Sequence, residues 1–289
     1  MKKLLILSGK GGTGKTTIAA AFIRFSEAKA FADCDVDAPN LHIVTRMNSA
    51  PKRSDYYGSK KAGIDEDRCV GCMACMEACR FDAITYEDGK CAVNEYSCEG
   101  CGVCAFVCPT DAANLHEDVA GELTLYTDER VFSTAELKMG RGNSGLLVSE
   151  VKSTMLKAAP DAEFAIFDGP PGIGCPVIAS VSGMDLVLIV TEPSVSGMSD
   201  LTRILKTASI LHTKVAVCVN KFDVCEEQAD GIEAYCEENE VPFVGRIPYD
   251  KRASAAINAG QSLADTDCPA RDALMRVYDR VMRLLGAQK

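Results

Sequence analysis

The chain has 289 residues, of which 47% are hydrophobic and 25% are charged, a balance typical of a globular protein with a sizeable core. Its formal net charge of -10 argues against binding to nucleic acid, because phosphate contacts need a basic surface. No apolar run approaches the roughly 18 residues that a membrane span needs, so we expect no stable membrane insertion.

The first predicted element is a short buried strand, Leu4 to Leu7. Four apolar residues are too few for the core of an export signal, so we expect a cytoplasmic protein whose fifteen cysteines stay reduced. The strand leads into Gly9-Lys10-Gly11-Gly12-Thr13-Gly14-Lys15-Thr16, which fits the phosphate-binding pattern G-x-x-x-x-G-K-T. A helical pattern from Lys15 to Ala28 follows, as this motif requires. The loop amides and Lys15 would bind the phosphates of ATP, and the Thr16 hydroxyl would hold Mg²⁺.

A second apolar segment, Ala30 to Ala32, is followed by an acidic run that contains Asp33, Asp35 and Asp37. Carboxylates at the carboxyl end of a parallel strand lie where ligands of such sheets bind. Taken singly, Asp33 or Asp37 could equally cap a helix.

The next segment, 58–118, breaks this pattern and carries the cysteine run C-x2-C-x2-C-x3-C twice. The runs are Cys69, Cys72, Cys75, Cys79 and Cys98, Cys101, Cys104, Cys108. The offset that maps Cys69 onto Cys98 also maps Asp82-Ala83-Ile84 onto Asp111-Ala112-Ala113, so the segment is an internal repeat. Structural zinc sites usually pair two C-x2-C knuckles over a spacer, whereas unbroken runs of four match bacterial two-cluster ferredoxins.

In that ferredoxin arrangement the fourth cysteine of each run binds the other 4Fe-4S cluster. Cluster I would therefore use Cys69, Cys72, Cys75 and Cys108, and cluster II would use Cys98, Cys101, Cys104 and Cys79. Too few apolar residues remain to form a core without metal, so we expect the clusters to be the core of this segment. The predicted domains are an inserted α+β ferredoxin-like domain, 58–118, and an ATPase domain formed by 1–57 and 119–289.

After the insert, short apolar runs at Phe164 to Phe167, Leu186 to Val190 and Val215 to Val219 alternate with helical patterns. This alternation predicts an α/β fold with a mostly parallel sheet covered by helices on both faces. A last helical stripe, Leu274, Val277, Val281 and Leu284, is expected to pack against the sheet rather than to bind a membrane.

The motifs together resemble the MinD/ParA superfamily of P-loop ATPases, which have a deviant Walker A motif. The resemblance is carried by K-G-G-T-G-K-T, in which Lys10 follows the first glycine, by the Asp33 to Asp37 run, and by Phe164 to Gly172 with Asp168. It covers Lys2 to about Asp250 apart from the insert. The subgroup that it most resembles carries an inserted ferredoxin domain, and the nitrogenase iron protein and Mrp-type carriers are related to it.

The resemblance implies roles for individual residues. Lys10 would contact nucleotide across a homodimer interface, Asp35 would orient the attacking water, and Asp33 would support the magnesium shell. Asp168 would lie next to Mg²⁺ and Gly169 would sense the γ-phosphate. Further nucleotide contacts are assigned to Thr17, Asn220, Lys221, Pro248 and Asp250.

Cys175 follows Asp168 where the nitrogenase iron protein carries one of the two cysteines of its intersubunit cluster. The second cysteine is missing from Met139-Gly140-Arg141-Gly142, which echoes the corresponding loop. Cys175 is therefore a candidate metal ligand beside the alternative of a buried structural thiol.

The leading hypothesis is a dimeric ATPase whose nucleotide state controls low-potential electron transfer to a redox partner. The alternative is an assembly or carrier ATPase that delivers clusters or metal to an apo-metalloprotein. Against it, the C-x-x-C that Mrp-type carriers use near their carboxyl end is absent. A positioning ATPase is disfavoured by the acidic charge and by the cysteine runs.

Overall fold

The computed structural model describes residues 1–286. The strands in this range are β1 (Lys2–Ser8), β2 (Ala30–Asp33), β3 (Lys52–Tyr57), β4 (Lys61–Ile64), β5 (Ile84–Glu87), β6 (Lys90–Val93), β7 (Ala113–His116), β8 (Val119–Thr127), β9 (Val131–Leu137), β10 (Phe164–Pro171), β11 (Leu186–Thr191), β12 (Lys214–Asn220) and β13 (Phe243–Ile247). The α-helices are α1 (Lys15–Ser26), α2 (Leu41–Thr45), α3 (Ala74–Ala78), α4 (Val103–Val107), α5 (Ser144–Ala158), α6 (Cys175–Val181), α7 (Val195–Ile210), α8 (Glu226–Glu238), α9 (Lys251–Asn258) and α10 (Pro269–Leu285).

The chain divides into two compact units. The first, here called the sheet unit, contains Met1–Arg53, Leu123–Glu136 and the residues from Ser144 onward. The second, here called the cysteine unit, contains Ser54–Glu122 and Leu137–Asn143. The predicted insert, 58–118, lies inside the cysteine unit.

The sheet unit is built around strands that lie in the order β13-β12-β11-β1-β10-β2-β9. Each neighbouring pair from β13 to β9 is parallel. In the central strand β1, Leu4 to Leu7 are fully buried, which explains why this run is continuously apolar rather than alternating. The predicted α/β fold with a large, mostly parallel sheet is confirmed.

The last helix, α10, packs on β13, β11 and α1. Leu274, Val277 and Val281 are buried there, whereas Leu284 is exposed. The prediction that this stripe packs within the fold is confirmed for those three residues. Within residues 1–286, no helix is both long and apolar enough to cross a bilayer.

The cysteine unit has the twofold repeat that its sequence predicts. Its two antiparallel strand pairs are β4–β7 and β5–β6, and it has two five-residue helices, α3 and α4. The sequence offset maps β4 onto β6, α3 onto α4 and β5 onto β7. Asp82 and Asp111, which correspond under this offset, both adopt left-handed backbone conformations, with φ of 50° and 51°.

The cysteine unit also includes 137–143, which the cysteine pattern alone assigns elsewhere. Arg141 explains this extension. Its guanidinium donates to Asp118 at 3.0 Å and lies 5.6 Å from the centroid of the Tyr96 ring. These contacts within the unit depend on tertiary structure and have no local signature in the sequence.

Candidate functional site

The nucleotide-site candidates gather at the carboxyl ends of adjacent parallel strands. The phosphate-binding loop joins the end of β1 to the start of α1, and Asp168 of β10 is in register with Ile6 of β1 and with Asp33, the last residue of β2. The parallel register thus brings together acidic residues that lie far apart in sequence.

The loop lysine is held by a buried ion pair. Lys15 Nζ lies 2.7 Å from Asp168 Oδ1, and both side chains are almost completely buried. Burial opposes the charge of Lys15, but the carboxylates of Asp168, Asp33 and Asp35 together outweigh it, so the pKa of the lysine is raised. The second oxygen, Asp168 Oδ2, is buried and has no hydrogen-bond partner among the described residues. A buried carboxylate oxygen without a partner is costly, and a Mg²⁺ ion or its water would satisfy it.

Asp33 is fully buried and is used by the backbone. Its Oδ1 accepts the N–H of Asp35 at 3.0 Å, and its Oδ2 accepts the N–H groups of Asn40 and Leu41, each at 2.9 Å. Burial, and then the charge of Asp168, raise the pKa of Asp33. In the structure this residue fixes the loop that carries Asp35.

Asp35 is half-buried and lines the same cavity as the loop. Burial, opposed by Lys15, raises its pKa to about 6. At neutral pH it is therefore a carboxylate with more affinity for a proton than an ordinary aspartate, as orienting and polarising a water molecule requires.

The main cavity of the sheet unit has a volume of about 680 Å³, within the usual range for a cofactor site. The predicted residues that line it are Lys10, Gly11, Gly12, Thr13, Gly14, Lys15, Thr16, Thr17 and Asp35. Gly9 does not line it; a Cβ there would lie 2.1 Å from Asp200 Cβ, so this glycine allows close packing of the loop on α7.

A smaller cavity of about 170 Å³ is lined by Asn220, Lys221, Pro248 and Asp250 together with Gly12, Gly14 and Thr17 of the loop. Asn220 Nδ2 donates to the carbonyl of Thr13 at 2.7 Å, and a Cβ at Gly14 would lie 2.4 Å from that nitrogen. Asp250 accepts the N–H of Arg252 and caps α9. Four predicted nucleotide contacts, Asn220, Lys221, Pro248 and Asp250, therefore lie together beside the phosphate loop.

Lys10 is tethered to the segment between β11 and α7. Its Nζ lies 3.4 Å from Glu192 Oε2 and 3.3 Å from Ser196 Oγ. Glu192 also binds Lys221 at 2.6 Å, so one carboxylate holds two predicted nucleotide ligands. Sequence reasoning missed Glu192 and Ser196; their only signal is a position just after the end of a parallel strand.

Gly169 lies against the central strand. A Cβ there would approach Leu7 Cδ2 to 2.3 Å and the carbonyl of Ile6 to 3.0 Å, so the position excludes any side chain.

Cys175 is exposed and is the first residue of α6. A Cβ at Gly145, the nearby start of α5, would contact the Cys175 carbonyl at 3.2 Å. The alternative of a buried structural thiol at Cys175 is therefore wrong.

The eight cysteines of the runs line two cavities in the cysteine unit. One cavity is lined by Cys69, Cys72, Cys75 and Cys108, and the other by Cys79, Cys98, Cys101 and Cys104. Each fourth cysteine thus lines the cavity of the opposite run. This is the donor set that two 4Fe-4S clusters require. In each set one member is exposed, Cys72 in the first and Cys101 in the second.

Backbone N–H groups point at the sulfurs of these cavities. The N–H groups of Ala62 and Gly100 each lie 3.4 Å from Cys98 Sγ, and that of Ala113 lies 3.5 Å from Cys108 Sγ. Such bonds lower the pKa values of Cys69 and Cys108, chiefly through the amides of Cys91 and Ala113 respectively. These two positions therefore favour the thiolate, the form that binds iron, whereas burial raises the pKa of Cys75 to about 12 and also raises that of Cys104.

In the part of the chain that the structure describes, no three His, Cys, Asp or Glu side chains lie close enough to hold a single metal ion. A single zinc ion needs its thiolates within about 2.3 Å of one point. In a 4Fe-4S cluster each thiolate binds a different iron.

The comparisons with known proteins cover nearly the whole chain. The family model described as the CobQ/CobB/MinD/ParA nucleotide binding domain matches residues 4–263. An uncharacterized protein of Methanocaldococcus jannaschii is 33% identical, over 98% of this chain and 97% of that protein. An iron-sulfur cluster carrier protein of Pyrococcus abyssi is 24% identical, over 99% of this chain and 88% of its own length.

Among solved structures, the septum site-determining protein MinD of Pyrococcus horikoshii, complexed with Mg-ADP, has a similar fold. The TM-score is 0.58 with 17% identity, and the match covers 99% of this chain and 97% of that one.

Proposed function

Because this chain belongs to the CobQ/CobB/MinD/ParA family of P-loop ATPases, we propose that it hydrolyses ATP to control delivery of iron-sulfur clusters to an apo-protein. The proposal has three parts: an ATPase site in the sheet unit, two 4Fe-4S clusters in a ferredoxin-like cysteine unit, and transfer that depends on the nucleotide. The similarity to iron-sulfur cluster carrier proteins along nearly the full chain is the observation that carries delivery, and the crossed lining of the two cysteine cavities supports the two clusters.

The ATPase chemistry follows from the geometry of the phosphate loop. The loop amides and Lys15 bind the phosphates, while Thr16 and Asp168 would hold Mg²⁺, which neutralises charge on the transferred phosphoryl group. Asp35 accepts a hydrogen bond from the attacking water and orients it. Gly169 follows Asp168 directly on β10, so movement of the γ-phosphate contacts can pass to Cys175 on α6.

Dimerisation would complete the site. The Nζ of Lys10 is held only by long contacts of 3.3 to 3.5 Å, and its side chain is 37% exposed. Such a weak tether leaves Lys10 free to reach nucleotide in a second copy of the chain. We therefore infer an ATP-dependent homodimer.

Delivery is favoured over electron transfer by the similarity to iron-sulfur cluster carrier proteins along nearly the full length of the chain. An exposed cysteine in each set also gives an acceptor thiol a point of attack for ligand exchange. Electron transfer remains the second candidate, because a pair of crossed cysteine sets is the arrangement of a two-cluster ferredoxin.

The test is anaerobic transfer from the reconstituted chain to apo-aconitase, followed by iron counting on both proteins. We expect ATP to move iron to the acceptor faster than ADP or no nucleotide does. If iron stays on the chain while ATP alters the rate at which a viologen dye oxidises the reduced clusters, the delivery proposal is wrong and the electron-transfer proposal is right. Cys175→Ser, measured in parallel, tests whether cargo passes through α6: slower transfer with unchanged iron content supports that route.

A further inference from the structure

The cysteine unit contains a ninth cysteine that neither run accounts for. Cys91 lies in β6, is 3% exposed, and lines the same cavity as Cys69, Cys72, Cys75 and Cys108. Cys75 and Cys91 also belong to the same buried cluster of side chains. The first cavity is therefore lined by five cysteines rather than four.

The position of Cys91 is fixed by its neighbours. Lys90 Nζ donates to the carbonyl of Cys69 at 2.5 Å and to that of Glu66 at 2.8 Å. The backbone amide of Cys91 lowers the pKa of the Cys69 thiol. Cys91 and the residue before it in β6 are therefore both linked to Cys69, the first ligand of the cavity.

The internal repeat supplies a matched comparison. Under the repeat offset Lys61 corresponds to Lys90, and Lys61 Nζ donates to the carbonyl of Cys98 at 2.5 Å. Ala62 then corresponds to Cys91: its N–H lies 3.4 Å from Cys98 Sγ, it is 3% exposed, and it lines the second cavity. Where the second cavity has the methyl group of Ala62, the first has the thiol of Cys91.

We propose that Cys91 is a reserve ligand of the first cluster, able to replace Cys75 on its iron; the inference rests on the proposed function in requiring that cluster. In the exchange the bond from iron to Cys75 Sγ breaks and a bond from iron to Cys91 Sγ forms. The proton of the Cys91 thiol is transferred to Cys75 Sγ, which lines the same cavity. No electron moves and the net charge is unchanged, so the step needs no other reactant.

The exchange distinguishes the two clusters. In the second cavity Cys104 corresponds to Cys75, and no thiol stands where Ala62 lies. Loss of one buried ligand would leave three thiolates there but four in the first cavity. The first cluster can therefore change ligand without losing iron, whereas the second cannot.

The experiment uses the full chain, reconstituted anaerobically, with iron and sulfide counted per chain and EPR recorded after dithionite reduction. We expect Cys75→Ala to keep both clusters with an altered EPR signal, and Cys75→Ala/Cys91→Ala to lose half of the iron. Cys104→Ala should lose half of the iron, and Ala62→Cys/Cys104→Ala should regain it. ATP binding to each variant shows that the sheet unit is folded.

Equal iron loss in Cys75→Ala and Cys75→Ala/Cys91→Ala would show that Cys91 does not replace Cys75. If the wild type still holds two clusters, that result leaves the proposed function unaffected. Absence of iron from the reconstituted wild type instead overturns the proposed function. The engineered Ala62→Cys/Cys104→Ala variant guards against misfolding, because a regain of iron cannot result from a variant that fails to fold.

Discussion

The two units of this chain have cores of opposite kinds. The sheet unit buries large apolar side chains, among them Phe22, Phe31, Phe132 and Phe167, and the rings of Phe31 and Phe132 stack at 5.0 Å. The core of the cysteine unit consists of five cysteines, four alanines and Ile84. Apolar burial stabilises a fold roughly in proportion to area, so the first unit can fold on its own side chains. The second would need the proposed clusters as core material.

The strongest test of this contrast is removal of iron. We expect a chelator under reducing conditions to abolish hydrogen-exchange protection of β4 to β7, while β1 and β10 keep theirs and ATP still binds. Exchange mass spectrometry of the loaded and stripped chain measures both units at once. Unchanged protection in the stripped cysteine unit would break the contrast.

Next in size is the effect of Lys15→Gln on catalysis. Loss of the phosphate ligand should lower the rate of ATP hydrolysis roughly 10²–10³-fold, as for other electrostatic catalytic groups, with no change in iron content. Because the variant leaves Asp168 buried without its partner, it should also lose roughly 3–5 kcal/mol of stability. Lys15→Gln/Asp168→Asn is the control: stability returns and activity does not. A fall in iron content in either variant would show that the units are not independent.

A smaller effect is expected for the paired lysines of the cysteine unit. Lys61 is 5% exposed and Lys90 is half-buried, although both bind a cysteine carbonyl. Lys61→Met should cost roughly 1–3 kcal/mol, because a buried acceptor loses its donor, and Lys90→Met less, because water can replace it. Urea unfolding of the loaded chain, followed at the cluster absorbance, compares the two. An equal loss of stability in the two variants would contradict the prediction that the more buried lysine contributes more.

The smallest effect concerns the pH dependence of the sheet unit. Since burial raises the pKa of Asp35 to about 6, its ionisation destabilises the folded state above that pH. Asp35→Asn should therefore be more stable than wild type at pH 8, and the difference should shrink as the pH falls through about 6 towards the ordinary aspartate value. Urea unfolding at several pH values measures this, with Asp37→Asn, whose side chain is exposed, as control. A stability difference between Asp35→Asn and wild type that does not change with pH would contradict the raised pKa of Asp35.

Much of the architecture could be predicted because its signals are local. A glycine-rich loop between strand and helix, and two cysteine runs of fixed spacing, are each read from adjacent residues. The strands at Leu4, Phe164, Leu186 and Val215 are likewise short apolar runs that lie within β1, β10, β11 and β12. The parallel sheet follows from their alternation with helices.

What the sequence did not reveal depends on tertiary register. Glu192 lies far from Lys10 in the chain and belongs to no motif, yet it binds it. Asp33 is predicted to support the magnesium shell, and its oxygens also accept backbone N–H groups whose positions only the folded loop determines. Cys91 lies outside both cysteine runs, and only the fold shows that it lines the first cavity where Ala62 lines the second.

Each fourth cysteine lines the cavity of the opposite run, and this crossing has a consequence for the topology of the chain. Cross-links through the two clusters would join Cys69 to Cys108 and Cys79 to Cys98, so the smaller ring is nested inside the larger. The larger ring spans about twice as many residues, and halving a loop lowers its closure cost by about 0.6 kcal/mol. Closing the inner ring first shortens the path that the outer ring must close. The second cluster, once bound, would therefore favour loading of the first.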